Sequence, residues 1–212
     1  MGSCTSSQRI AKYFNNIHTD FCKKLIQYDC YVVGSILLQI EGYIDDANDI
    51  DIFCFSSEQS PFEQYLKNIG FRCVSTRKCS VIIKYYRKDD YVIQFTRYKY
   101  QSNIQKHIES KFDLDIVQQY FDGKYHVMLG ECEHSVYWRR FYIADNRYIR
   151  YKPNLLKERI KKYESRGFLF VPKNEEEYNL VYGHTVHNIE GNIINDCGGD
   201  HRYCGNYCDC GY

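Results

Sequence analysis

The sequence predicts an α/β protein built on a mixed β-sheet, and two observations support this. Apolar residues spaced three or four apart, which is typical of helices, give way repeatedly to the two-residue alternation of strands. The resulting order is helix, strand, helix, strand, helix, three strands, helix, strand. Two of these strands flank the segment RKDD, residues 87–90, which predicts a hairpin turn and therefore an antiparallel pair.

The first part of the chain supplies the opening elements. Residues 8–27 carry apolar side chains at helical spacing and predict one amphipathic helix. A short strand over 31–33 runs into Gly34, and a short helix over 36–41 follows. The segment DIDIFCF, residues 49–55, alternates carboxylate and bulky apolar side chains, so we expect a strand.

The middle of the chain continues the pattern. A Ser-Pro entry and a final Gly70 predict a helix over residues 60–70. Three strand-like runs follow, at residues 71–75, 80–86 and 91–97. Residues 102–110 predict a helix with Ser102 as its N-cap, and 111–123 predict an alternating strand that ends in an Asp-Gly turn.

The remainder contains one clear element, a basic helix in NLLKERIKKYESRGF that ends near Gly167. A Gly-, Asn- and Cys-rich segment then closes the chain. We therefore expect four parts: a flexible N-terminus (1–7), an α/β core (8–125), a helical C-terminal extension packed on that core (126–190) and a Cys-rich tail (191–212).

Composition restricts the class of protein only broadly. The 212 residues suffice for a large apolar core. The 28 basic and 27 acidic residues almost cancel, which argues neither for nor against a nucleic-acid partner. No apolar segment reaches the length of a membrane span. Eleven cysteines, an odd number, most of them irregularly spaced, favour free thiols and a cytoplasmic location.

Asp49 and Asp51 are the first candidate site residues. Side chains two apart on a strand share a face, so the two carboxylates would lie side by side. Buried neighbouring carboxylates repel each other unless a cation lies between them or one is protonated. Hard oxygen ligands of this kind favour Mg²⁺ or Mn²⁺.

Two further segments fit the same chemistry. KFDLDIV supplies Asp113 and Asp115 on a second predicted strand, and a third carboxylate beside Asp49 and Asp51 could hold two divalent ions about 4 Å apart. Gly34 would let a phosphate approach the backbone closely, and Ser35 could add a hydroxyl donor at the start of a helix.

The order of these motifs resembles the nucleotidyltransferase superfamily typified by DNA polymerase β. GS, a short helix, DIDIF and a later FDL, followed by RIKKYESRGF, are most similar to compact nucleotidyltransferase-like proteins of large DNA viruses and fungi. The resemblance covers roughly residues 28–170. It implies that fold, together with a two-metal transfer of a nucleotidyl group from an NTP with release of pyrophosphate.

The resemblance also implies residue roles. Asp49 and Asp51 would ligate the metals, and Gly34 and Ser35 would hold the triphosphate. Asp113 would be the third carboxylate and the general base, although the match leaves Asp115 open; Asp113 is preferred because it falls in the FDL triplet.

The chain departs from the family pattern in one respect. Residues 36–44 contain neither the Arg nor the Lys that many small members place after the GS turn. The phosphate charge would then rest on metal, on backbone amides, or on distant basic residues such as Lys84 or Arg97.

Three functions therefore compete. The first is an enzyme that transfers a nucleotide to a hydroxyl or amine of RNA, protein or a small molecule. The second is a catalytically inactive nucleotidyltransferase fold that serves as a binding or scaffold protein. The third sets the resemblance aside and expects a structural α/β protein whose Cys-rich tail supports assembly or binds zinc.

Both termini carry weaker signals. MGSCTS fits the pattern for N-myristoylation at Gly2, with Cys4 placed for a second lipid, and two lipids would attach the protein to a membrane. A disordered start is the alternative. The tail could bind Zn²⁺ through four thiolates with His201 nearby, or could be an oxidation-prone disordered segment. The four thiolates belong to Cys197, Cys204, Cys208 and Cys210.

Overall fold

A mixed seven-stranded sheet organises the part of the chain that the structure describes. The structure is a computed structural model, and it describes residues 5–55, 60–78, 81–98, 103–145 and 147–183. The strands are β1 (Cys30–Val33), β2 (Ile50–Phe55), β3 (Arg72–Lys78), β4 (Ile82–Lys88), β5 (Tyr91–Tyr98), β6 (Gln119–Phe121) and β7 (His126–Met128). Their order is β3-β4-β5-β2-β1-β6-β7, and only β2 and β5 are parallel. The prediction of a mixed α/β sheet is confirmed.

Helices cover both faces of this sheet. They are α1 (Ser6–Ile17), α2 (Phe21–Gln27), α3 (Ser35–Ile40), α4 (Pro61–Asn68), α5 (Ile104–Lys111), α6 (Cys132–Trp138), α7 (Arg147–Tyr151), α8 (Pro153–Glu164) and α9 (Glu175–Tyr182). A small parallel pair, β8 (Arg140–Phe141) and β9 (Leu169–Phe170), lies among the C-terminal helices. No helix in the described ranges combines the length and apolar character needed to cross a membrane.

The predicted single helix over 8–27 is wrong, because the chain forms two helices there. Thr5 and Gln8 cap the start of α1 reciprocally. At His18 the backbone becomes extended, with φ −162° and ψ 135°, and α2 begins three residues later. The apolar spacing runs through the break because Ile17 and Phe21 both remain buried in the same core.

Local capping explains two other helices. The Ser60 hydroxyl accepts a hydrogen bond from the Phe62 amide, and Pro61 occupies the first turn of α4, as predicted. Gly70, with φ +97°, follows the end of that helix. The N-cap of α5 is Asn103, and Ser102, which we predicted there, lies outside the described residues.

The strand predicted over 111–123 is wrong except at 119–121. Asp115–Val117 form a 3₁₀ turn, and Leu114 makes only an isolated antiparallel bridge with Ile143. The Asp115 carboxylate accepts hydrogen bonds from the Ser135 hydroxyl (2.6 Å) and the Tyr142 amide (3.0 Å). These bonds hold the chain away from an extended course, so Asp113 and Asp115 do not share a strand face.

Three apolar clusters fill the interior of the part of the chain that the structure describes. One joins α1, α2 and α4 to the sheet face that carries Ile52. A second lies between α5 and the opposite face, around Phe53. The third packs the C-terminal helices against α3 and the 3₁₀ turn, around Leu38 and Ile160. The division of the chain into parts at 7, 125 and 190 stays a prediction.

Candidate active site

Strand β2 places the two acidic residues of the DID motif beside the middle of the sheet. Asp49 directly precedes β2, and Asp51 is its second residue. Asp51 lies opposite Val33 of β1 and Gln94 of β5. Both carboxylate residues are half-buried, so they are shielded from bulk water yet accessible from one side.

The turn after β1 brings the backbone against Asp51. Gly34 has φ +80°, a conformation that favours glycine. A Cβ at this position would lie 3.1 Å from Asp51 Oδ2, so a side chain would crowd the carboxylate. Ser35 then opens α3, and it lines the same pocket as Tyr163 of α8. The GS turn is therefore packed between the acidic strand and the C-terminal helix.

Asp113 lies in the same pocket, whereas Asp115 does not line it. The Asp113 carboxylate is 1% exposed, and Nη1 of Arg159 lies 2.9 Å from each of its oxygens. Asp115 is held by Ser135 and Tyr142 instead. Burial raises the pKa of Asp115, and these hydrogen bonds oppose that shift. Of the two aspartates in FDLD, the first lines the pocket, and the second anchors the 3₁₀ turn.

A cavity of about 240 Å³ connects these groups. Its lining combines three carboxylates with three cations, the latter from Lys111, Arg159 and Lys162. The complete lining is Gly34, Ser35, Asn48, Asp49, Asp51, Gln94, Lys111, Phe112, Asp113, Leu114, Val117, Arg159, Lys162 and Tyr163. Such a cavity can accept a ligand that carries both anionic groups and a cation.

The electrostatics of the pocket are unbalanced at β2. Burial, followed by the charge of Asp49, raises the pKa of Asp51 well above its ordinary value, while Arg159 and Lys162 oppose the shift. Burial also raises the pKa of Asp49, against the attraction of Lys162. Burial lowers the pKa of Lys162. Arg159 and Lys162 therefore compensate the β2 carboxylates only in part, and a bound cation would provide further positive charge.

The donor set fits a hard divalent cation at Asp49 and Asp51 but does not form a three-carboxylate centre. Both oxygens of Asp113 are engaged by Arg159. Within the described ranges, no three His, Cys, Asp or Glu side chains come close enough to hold a metal together. The pair on β2 is thus the part of the site that suits Mg²⁺ or Mn²⁺.

The structure also shows lining residues that the sequence analysis did not assign to the site. Gln94 donates a 2.8 Å hydrogen bond from Nε2 to Asp51 Oδ1. The sequence signal for Gln94 is its position as a polar residue within the apolar run YVIQF. Arg159, Lys162 and Tyr163 are spaced i, i+3, i+4 and so share one face of α8.

The cations proposed earlier from sequence for phosphate binding are not in this pocket. Lys84 forms an ion pair with Glu63 of α4, on the other side of the sheet. Arg97 lies on β5 opposite Cys54, whose side chain joins the core on that same side. Alternation along the strands explains this outcome, because Asp51 and Gln94 point the opposite way from Cys54 and Arg97.

The candidate sites at the two termini lie outside the described residues. These are the lipidation site at Gly2 and Cys4 and the zinc site at Cys197, Cys204, Cys208 and Cys210.

Solved structures with a similar fold include CCA-adding enzymes and a tRNA-processing enzyme. A CCA-adding enzyme in its apo form matches with a TM-score of 0.62 at 14% identity, over 81% of this chain and 44% of that one. The Thermotoga maritima CCA-adding enzyme complexed with tRNA matches with a TM-score of 0.55 at 18% identity, over 81% and 40%. A CCA-adding enzyme with CTP gives 0.58 at 18%, over 80% and 42%.

These matches establish the fold: the chain is a mixed α/β protein whose fold is similar to that of the matched enzymes. The chain spans 40–47% of the length of the matched enzymes. No protein-family model matches the sequence, and no curated protein does so either.

Proposed function

We propose that the protein is a metal-dependent nucleotidyltransferase that moves an NMP from an NTP to a hydroxyl or amine acceptor. The observation that carries this proposal is one pocket in which the β2 carboxylates and the Gly34–Ser35 turn face the cations of α8. A triphosphate with a divalent cation has the charge distribution that this lining complements.

The β2 pair has the role of metal ligands in this proposal. Asp49 and Asp51 hold Mg²⁺ or Mn²⁺, and a cation bound there supplies positive charge to the oxygens of the transferring phosphate. Gln94 keeps Asp51 in position through its amide. A second ion remains part of the proposal, and it requires Asp113 to be released from Arg159.

The cations of α8 and α5 have the role of triphosphate ligands, together with Gly34 and Ser35. A guanidinium binds phosphate oxygens as it binds a carboxylate, so a triphosphate competes with Asp113 for Arg159. Asp113, once free, accepts the proton of the acceptor hydroxyl. That oxygen attacks the α-phosphorus, the bond from the α-phosphorus to the bridging oxygen breaks, and pyrophosphate leaves.

Similar structures support the substrate class. Matched CCA-adding enzymes include complexes with CTP and with ATP, and one complex contains tRNA. The acceptor stays open between RNA, protein and a small molecule. The similarity to compact viral and fungal proteins, a cytoplasmic location and membrane attachment through Gly2 stay predictions.

The test is transfer of label from α-³²P-labelled NTPs by the purified full chain with Mg²⁺ or Mn²⁺. We expect labelled acceptor or self-labelled protein, with release of pyrophosphate. Asp49→Ala should abolish the label, and Asp90→Ala, at an exposed turn, is the matched control that should retain it. Equal silence of wild type and Asp49→Ala with all four NTPs and several acceptors would contradict the proposal.

The ion pair between Asp113 and Arg159 favours one alternative, a protein that binds nucleotides without transferring them. In that case Arg159 stays on the carboxylate and no general base becomes available. Calorimetry with NTP separates the two functions: the alternative predicts nucleotide binding without transfer under any condition. Zinc binding by the tail stays a prediction of this second function.

A further inference from the structure

A second surface with unusual chemistry lies at the end of α6. Tyr137 is 71% exposed and Trp138 is 58% exposed. Their rings meet edge to face with centroids 5.2 Å apart, and His134, one turn earlier, lies 6.1 Å from the Trp138 ring. Large aromatic rings placed together in water mark an interaction surface more often than a packing accident.

An open depression of about 340 Å³ adjoins these rings. Its lining consists of His134, Trp138, Arg140 and Tyr142, and none of these four is acidic. We call these four residues together with Tyr137 the α6–β8 platform. The depression is large enough to receive a planar ring against Trp138.

The platform and its neighbours carry several cations. Arg139 and Arg140 are exposed, and the Lys173 ammonium lies 5.5 Å from the centre of the Tyr142 ring. Two exposed carboxylates, Glu131 and Glu133, lie at the start of α6 and partly offset these charges. The depression itself is therefore aromatic and basic.

This combination selects one class of partner. Aromatic rings beside guanidinium groups bind single-stranded nucleic acid, because bases stack on the rings and phosphates pair with the cations. A purely apolar protein partner would have to desolvate Arg140 without compensation. We propose that the α6–β8 platform binds a single-stranded nucleic acid, with a base stacked on Trp138 and a phosphate at Arg140.

The platform is connected to the pocket through the segment that carries Asp113. The Ala144 amide donates a 2.7 Å hydrogen bond to the Asp113 carbonyl, and Leu114 is bridged to Ile143. Backbone spacing then places the Tyr142 and Asp113 Cα atoms within about 13 Å of each other. A strand on the platform therefore lies near the pocket, and this rests on the proposed function in naming that strand as the acceptor.

The experiment measures fluorescence anisotropy of a short fluorescein-labelled oligouridylate with the full chain, without NTP or metal. Trp138→Ala should weaken binding about tenfold, because stacking on one ring is lost. Arg140→Ala should weaken it less and reduce the slope of log affinity against log salt by about 0.7. Both side chains are exposed, and unchanged thermal unfolding checks the fold.

Matched controls make the result specific. Tyr125 is 54% exposed and also lies beside a lysine, Lys124, at 4.6 Å, so Tyr125→Ala should bind as wild type does. Arg87→Ala is the exposed control for Arg140→Ala. Equal losses in Trp138→Ala and Tyr125→Ala would overturn the proposal, as would equal affinity for duplex RNA, or binding of an acidic peptide that competes with the oligouridylate.

Binding of the oligouridylate is independent of catalysis. Asp49→Ala should bind the oligouridylate as wild type does, because Asp49 lies in the pocket and not on the platform. Trp138-dependent binding without transfer supports the platform and contradicts the transfer proposal. Transfer of a nucleotide to another acceptor, by a chain that does not bind the oligouridylate, supports the transfer proposal and contradicts the platform.

Discussion

The two faces of the central sheet differ in the partners that surround their buried carboxylates. On the face covered by α4, Glu63 is fully buried and accepts hydrogen bonds from Lys84 and from Tyr86 (3.0 Å). On the other face, Asp51 lies beside Asp49 and opens into a cavity. The first carboxylate is enclosed with its partners, whereas the second is held close to a like charge.

We therefore expect the enclosed Glu63 to contribute to stability and the open Asp51 to contribute to function. An intact buried ion pair changes the free energy of unfolding little, but removal of one partner lowers that free energy strongly. A carboxylate pair whose charge is only partly compensated instead lowers the stability of the folded protein, and such sites are functional candidates. Substitutions on the two faces should therefore have opposite effects on stability and activity.

The largest expected effect is on the enclosed face. Glu63→Ala should destabilise the protein by about 4 kcal/mol, because it leaves Lys84 without its partner beneath α4. Urea unfolding measures this loss. Transfer per folded molecule should remain at the wild-type level, and a loss of transfer without a loss of stability would reverse the assignment of the two faces.

The next effect concerns His107, a buried residue of α5 that packs against the rings of Phe53, Phe55 and Tyr98. Burial, followed by the charge of Lys111, lowers the pKa of His107 from 6.5 to about 4. A lowered folded-state pKa contributes stability above about 6.5 that is lost as the pH falls through about 4.

The buried His107 imidazole should therefore lower the free energy of unfolding of the wild type by about 3 kcal/mol as the pH falls from neutral to acidic. His107→Phe fits the same aromatic surroundings and cannot be protonated. Unfolding by urea across that range should show a shallower loss for His107→Phe than for wild type. Parallel pH curves would show that the imidazole is not held neutral by burial.

Asp51→Asn tests the open face directly. Transfer should fall at least about 100-fold, as it does when a group that stabilises transition-state charge is removed. Stability measured in the presence of a chelator should rise by about 1 kcal/mol, because a buried charge beside Asp49 is removed. A protein that loses both stability and transfer would place Asp51 with Glu63, as a structural residue.

Much of this arrangement follows from local sequence. The turn at Gly34, strand β2 and helix α4 were predicted because hydrophobic alternation and capping residues act within a few positions. The break at His18 and the 3₁₀ turn at Asp115 were not, because contacts from distant segments decide them. Partners such as Arg159 follow from packing of α8 on the core, which no local pattern encodes.

The smallest predicted effect concerns Gln94, which orients Asp51 by a 2.8 Å hydrogen bond. Gln94→Leu keeps the shape of the side chain and removes the donor, so transfer should fall about tenfold. Thr96→Val is the matched control, since Thr96 lies on the same face of β5 and its buried hydroxyl has no hydrogen-bond partner within the described ranges. Steady-state rates should separate the two variants. Equal transfer rates for Gln94→Leu and Thr96→Val would mean that β2 alone orients Asp51. The hydrogen bond from the neighbouring strand β5 would then not contribute to the site.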